Sequence, residues 1–292
     1  MLDARYHLFY LIAIFLMLSF GILIGASYYG PVQVRQQRKA FDSLLGQTNL
    51  VVQERKEAQA RLDKDEAALS TLRPKLIRGK LAGQRVILVQ TGDYADATEA
   101  ANTALEDAGA VVPATVTLTA KWATLSPRQR KALQSVAGSL DPAVQNTALP
   151  AALASALVRG TDASPVSAAA LEAIQAQGLV IVSGELTQPC KLFVLVGGSR
   201  DDSTPALIEG PLLEGLKAAP GSVTVVGCEP YTASVSSIPA YQAAGISSVD
   251  CIDLPLGQIA LPFALRGDTG DYGLKPTARL TLPAAFEGSP AP

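Results

Sequence analysis

The sequence predicts an α/β protein in three parts: an N-terminal transmembrane helix, a coiled-coil stalk, and one soluble domain built on a parallel sheet. Three observations predict it. Residues Leu8 to Gly30 carry no charge, a heptad series runs from Phe41 to Leu76, and short apolar runs alternate with helical composition beyond Gly83. At 292 residues the chain is long enough for an anchor, a long helix and one domain of ordinary size. The boundaries read from the sequence are 1–33 for the signal anchor, 34–82 for the coiled coil and linker, 83–282 for the head, and 283–292 for a disordered tail.

The 23 residues from Leu8 to Gly30 are mostly Leu, Ile, Phe, Ala and Met. At 1.5 Å per residue they exceed a bilayer core of about 30 Å. A cleaved signal peptide has a shorter apolar core and a small-x-small exit; Gly25-Ala26-Ser27 offers such an exit, but the length of the run points to an uncleaved anchor. Arg5 precedes the run, and Arg35, Arg38 and Lys39 follow it. The local charge rule therefore mildly favours a cytoplasmic head, while Tyr28 and Tyr29 fit an interfacial belt and mark depth without direction. Gly21 and Gly25 frame a small-xxx-small pattern that lets two helix backbones approach closely. His7, the one histidine, sits at the membrane edge, which excludes a Ser/His/Asp or Cys/His catalytic arrangement within the head.

In the stalk, with Phe41 at position a, the a/d series is Phe41, Leu44, Thr48, Val51, Arg55, Ala58, Leu62, Asp65, Leu69, Leu72 and Leu76. Eight of these eleven are apolar, and the positions around them are rich in charged residues and Gln. Thr48, Arg55 and Asp65 weaken the seam and help to fix its register. Oligomerisation is expected through Gly21, Gly25, Phe41, Leu44, Val51, Leu62, Leu69 and Leu72, with a parallel homodimer or higher homo-oligomer preferred because anchoring concentrates identical helices. Helical from Gln33 to Arg73, the stalk would be roughly 60 Å long. Pro74 is expected to end or kink it, with Gly79 and Gly83 linking to the head.

In the head, Arg85–Gln90 reads as a buried strand, Ala95–Ala108 as a helix and Val111–Leu118 as the next strand. Residues 120–177 are rich in Ala, Ser, Thr and Pro, with helical pieces at Pro127–Val136 and Pro150–Val158. Further strands are read at Gly178–Ser183, Leu192–Val196, Val223–Val226 and Ser248–Ile252, and helices near Pro205–Ala218 and Thr232–Ala244. Continuous apolar strands alternating with helices imply a parallel sheet covered on both faces. Gly197-Gly198-Ser199-Arg200-Asp201-Asp202 follows one strand, where a phosphate cradle would sit. It matches neither the dinucleotide fingerprint nor a Walker A loop, and reads as a structural turn. Asp250 and Asp253 bracket a strand as polar groups or helix caps. No nucleophile-elbow or zinc-protease pattern occurs, so no catalytic residue is expected.

Net charge is -2, which argues against a nucleic-acid-binding surface, but its distribution is uneven. Residues 33–80 hold 11 Lys/Arg against 6 Asp/Glu, and residues 81–292 hold 12 against 19. A basic stalk therefore leads to a mildly acidic head. Cys190, Cys228 and Cys251 lack zinc-ligand spacing and read as buried thiols; they are the weak metal candidates of the chain.

The whole arrangement resembles the actinobacterial copper-transport family typified by MctB, which includes the cell-separation protein SteB. The resemblance rests on the anchor Phe15–Ala26, the coiled coil, the Arg85–Gln90 strand, and "SSVDCIDLPLGQIAL" followed by Gly270-Asp271-Tyr272-Gly273. It implies a Rossmann-like head outside the cytoplasmic membrane, an N-terminus inside, and a role in copper homeostasis or efflux. Pro262 is expected to interrupt the last helix after Gly257-Gln258. Cu(I) favours clustered thiolate, thioether and imidazole. The chain has two Met, one His and three scattered Cys, so copper enters by resemblance alone, no other cofactor is expected, and one span makes no pore by itself. The alternative the resemblance suggests is a scaffold of the cell envelope or of daughter-cell separation, recruiting partners through coiled coil and head.

Overall fold

The computed structural model describes residues 4–201, 206–219 and 221–286; at 4, 5, 26–46, 206 and 207 only the backbone is described. The chain divides into two compact units, Met1–Asp65 and Glu66–Pro292.

The first unit is helical throughout its described part. Its helix, α1, runs from Ala4 to Ile77 and so supplies the opening turns of the second unit as well. Within it, Tyr6–Gly25 has a mean hydropathy of 2.6 over 20 residues and is not buried by the protein at all. That segment is long and apolar enough to cross a membrane. Leu50, Val51, Val52 and Leu62 are also exposed along α1. The side chains of Phe41, Leu44, Tyr28, Tyr29, Arg35, Arg38 and Lys39 lie outside the described residues. Of the expected end or kink at Pro74, the end comes later: α1 continues to Ile77, and Gly79 at φ +73 follows. A proline in a last turn forfeits one helical hydrogen bond, here the one to the Ser70 carbonyl, and burial of Ile77 compensates locally.

The second unit is a three-layer α/β domain. Among the described residues its sheet has seven strands: β1 Val86–Gln90, β2 Ala114–Leu118, β3 Val180–Gly184, β4 Leu192–Val196, β5 Thr224–Cys228, β6 Ser247–Val249 and β7 Asp271–Tyr272. Their order is β3-β2-β1-β4-β5-β6-β7. Every neighbouring pair is parallel except β2 and β3. The expected parallel sheet is present, with one antiparallel, partly exposed strand at this edge. The β3 residues alternate, with Val180 buried and Ile181 59% exposed, as in an antiparallel strand that keeps one wet face. A continuous apolar spelling hid that alternation.

Successive strand residues face opposite layers. Ile87, Val89, Phe193, Leu195 and Val225 join one core cluster, with α5 (Pro142–Arg159), α6 (Pro165–Ala176) and α7 (Ala206–Ala218). Val86, Leu88, Val194, Val196 and Val226 join the other, with α2 (Ala95–Asp107), α9 (Pro255–Leu265) and the end of α1. Short helices α3 (Pro127–Ala132), α4 (Gln134–Ala137) and α8 (Ile238–Ala243) complete the set.

Region 120–177 is more helical than its composition suggests. Ser126, Asp141 and Ser164 each cap a helix whose first residue is proline, by accepting from Gln129 N, Ala143 N and Ser167 N. Helix α5 accordingly starts at Pro142, and Pro150 is buried inside it instead of starting it. Pro262 likewise lies inside α9, a correction to the expected interruption. Ten of the eleven α9 residues are buried, and that packing outweighs one missing amide.

The end of α1 is part of this core. Ile77 and Leu81 are buried among α2 and α9 residues, Lys80 lies 4.9 Å over the Phe263 ring, and Phe286 packs edge-on to Phe263. Arg73 donates to Asp107 on α2 at 2.6 Å and to the Gln258 side chain on α9.

Candidate functional site

In an open α/β sheet, ligands bind beyond the carboxyl ends of strands where the strand order reverses. Here the reversal lies between β1 and β4. Thr91–Tyr94 leaves β1 and Gly197–Arg200 leaves β4, so the two loops face each other across that point.

They are closed against each other. A methyl group at Gly92 would meet the Gly198 carbonyl oxygen and stand 2.7 Å from the Gly197 carbonyl carbon. At Gly197 it would meet the Tyr241 hydroxyl and lie 2.6 Å from Ser237 Oγ and 2.7 Å from Glu209 Oε1. The amides a phosphate cradle needs are already used: Gly197 N donates to Cys228 O, Gly198 N to Ser237 Oγ, Ser199 N to Val235 O, and Arg200 N to Asp93 Oδ2. The Arg200 guanidinium stacks on the Tyr94 ring at 5.0 Å. This loop is the structural turn expected from the sequence; Asp202 lies outside the described residues.

Below the loops lies a cluster of buried polar groups. Glu209, in the first turn of α7, is buried and accepts at Oε1 from Thr91 Oγ1, from Tyr241 OH at 3.1 Å and from Ser237 Oγ at 3.2 Å. Burial pushes its carboxyl above the usual carboxylate range, and the neighbouring Glu229 charge adds to this. Tyr241, wholly buried, is pushed up well above its ordinary value by the same desolvation, with Glu209 contributing. Glu229 follows directly on β5 and is wholly buried. It accepts from Ser236 Oγ at 2.8 Å, Ser237 N at 2.7 Å and Lys275 Nζ at 2.5 Å. Ser237 thus bridges both carboxylates. These buried, hydrogen-bonded acids act as braces between α7, α8, β1 and β5.

The segment after β7 closes the end of the sheet. Asp250 accepts from Leu274 N and Lys275 N at 2.8 and 3.0 Å, and Lys275 also donates to the Pro230 carbonyl. Asp253 accepts from Tyr231 N at 2.7 Å. Both carboxylates named from the sequence therefore pin loops, and neither caps a helix. Glu209, Glu229, Tyr241, Ser237 and Lys275 were missed by sequence reasoning. The one available signal was an acid placed immediately after an apolar strand, Cys228-Glu229.

The thiols are free and buried, and Cys228 lies directly before Glu229 of this cluster. Cys190 belongs to one core cluster and Cys228 to the other. Cys190 donates to the Arg85 carbonyl, and burial raises its pKa. Burial drives the Cys228 thiol far up, and burial with the Asp250 and Asp253 charges pushes Cys251 up to about 12. All three are poor sources of thiolate for a soft metal. Among the described residues, no three His, Cys, Asp or Glu side chains gather as a metal site.

The residues expected to oligomerise are bare where described. A methyl added at Gly21 or Gly25 would touch nothing, and Val51, Leu62, Leu69 and Leu72 are exposed.

Comparison with known proteins places this architecture. Residues 1–283 match the family model described as copper transport outer membrane protein, MctB. The chain belongs to the MctB family. Curated proteins named copper transporter MctB, from Mycobacterium tuberculosis H37Rv and from Mycobacterium bovis, are each 26% identical over 306 residues, covering 94% of this chain and 96% of theirs. The MctB match spans the candidate membrane helix, all of α1 and the whole sheet.

Proposed function

We propose that the chain is a single-pass, membrane-anchored protein of the cell envelope with a role in copper homeostasis or efflux, working as a coiled-coil oligomer and without enzymatic activity. The observation that carries this is the MctB match over residues 1–283, taken with one candidate span, Tyr6–Gly25. The N-terminus lies in the cytoplasm and the head outside the cell membrane. The three parts act as units, with anchor to residue 33, stalk and linker to 82, and head to 282. A single helix encloses no channel, so copper, as cargo, would pass by way of an assembly or a partner and not through this chain alone. Association runs through Gly21 and Gly25 in the span and Phe41, Leu44, Val51, Leu62, Leu69 and Leu72 in the stalk.

A second reading is favoured by one observation: the thiols are free and buried while the stalk leucines are exposed. On that reading the protein is a scaffold of the envelope or of daughter-cell separation, and recruits partners through stalk and head. A deletion strain scored for copper sensitivity and cell-chain morphology separates the two. Copper hypersensitivity with normal separation supports the first, and chained cells with normal copper tolerance support the second. Crosslinking of the full chain should give dimers that vanish on Leu62→Asp plus Leu69→Asp.

A further inference from the structure

Where α1 enters the globular unit, it carries two distinct sets of residues. Arg73, Pro74 and Ile77 turn toward the head: Arg73 bonds Asp107 and Gln258, and Ile77 is wholly buried. Leu69, Leu72 and Leu76 remain 37%, 48% and 37% exposed. At 3.6 residues per turn, the centres of the two sets are about a third of a turn apart. The head therefore packs on this helix without consuming its apolar seam.

From this we infer that pairing with a second copy of this chain continues through Leu69, Leu72 and Leu76, parallel and in register, up to the head itself. The inference rests on the coiled-coil reading above and extends it into the globular unit. Two features select the occupant. In a parallel, in-register pair, the residue at g faces the e residue five positions on in the other helix. With the heptad as assigned, Arg61 then faces Glu66 of a second copy, twice by symmetry. The next e position is Arg73, which is already held by Asp107 and Gln258, and the g residue that faces it is Ala68, which is small and uncharged. The pairing charges therefore fall where the helix is free, and a neutral residue falls where the head has taken the arginine. An identical chain anchored in the same membrane also presents its helix in the same direction and at high local concentration.

The test uses the full chain reconstituted in lipid, with single cysteines introduced and a mild oxidant. The native thiols are buried. Leu62→Cys probes the stalk seam, Leu76→Cys the head end, and Thr71→Cys, at an outward c position, is the control. Leu76→Cys should form interchain disulfide as readily as Leu62→Cys, and at least about tenfold faster than Thr71→Cys, because identical a residues meet across a parallel pair. If Leu62→Cys crosslinks and Leu76→Cys stays at the control rate, the helices part before the head and this inference fails while the coiled coil stands. If neither exceeds the control, the coiled coil itself fails. Arg61→Glu and Glu66→Arg should each weaken self-association roughly threefold or more, and the double reversal should restore it. A double reversal that stays weak overturns the register.

Discussion

Arg73 donates to Asp107 across 2.6 Å and also to the side chain of Gln258, so the last turns of α1 are tied to both α2 and α9. Three side chains from distant parts of the sequence meet there, each partly or wholly withdrawn from water. Replacing Arg73 by Ala leaves two polar groups without their partner. Thermal unfolding of the full chain in detergent should show a loss of about 1–3 kcal/mol, and Arg73→Lys should recover only part of it. An unchanged midpoint for Arg73→Ala would mean that the tie contributes nothing.

Gly197 sits directly on the buried cluster, with no room for a methyl between it and Ser237, Tyr241 and Glu209. Gly197→Ala should destabilise the head by about 1–3 kcal/mol through overpacking. Adding Tyr241→Phe removes the hydroxyl that the methyl meets and should return part of that loss. Full additivity of the two substitutions in denaturant melts would contradict the closeness of this contact.

Burial holds the Glu209 carboxyl above its ordinary value of 4.5. The fold thus favours the neutral form. Its contribution is complete below 4.5 and is lost as pH rises through the higher folded-state value. Glu209→Gln keeps an oxygen acceptor without the charge. Denaturant titrations between about pH 4 and 8 should therefore show the native chain losing stability relative to Glu209→Gln as pH rises. A flat difference, or one of opposite sign, would refute the buried, desolvated carboxylate.

The three thiols are buried in the native chain, and two of them lie in different core layers. A thiol reagent should find all three unreactive under native conditions and all three reactive in denaturant. A Cu(I) titration should not distinguish the native chain from one with Cys190, Cys228 and Cys251 changed to Ser. A clear loss of affinity in that variant would make them copper ligands.

Much of the fold is written locally. The strands Val86–Gln90 and Leu192–Val196 are visible because a strand covered on both faces needs only a short apolar run. The edge strand β3 misleads for the converse reason: Ile181 is exposed, yet its spelling is that of a covered strand. Pro74 reads as an end or kink, Pro150 as a helix start and Pro262 as an interruption, and all three lie inside helices. Packing of Ile77, α5 and α9 decides those cases, and packing is not local. The polar cluster was illegible for a similar reason. Thr91, Glu209, Glu229 and Lys275 lie far apart in sequence, and the order of strands brings them together around Ser237.

Membrane tethering by the N-terminal helix is the claim on which the stalk, its pairing and the placement of the head depend. Fractionation with an alkaline wash, followed by N-terminal sequencing of the mature chain, tests it most directly. The full chain should stay in the membrane fraction with its N-terminus ahead of Leu8, and added protease should reach the head in spheroplasts while a tag at the N-terminus stays protected. A soluble mature chain beginning beyond Gly30 would contradict the account.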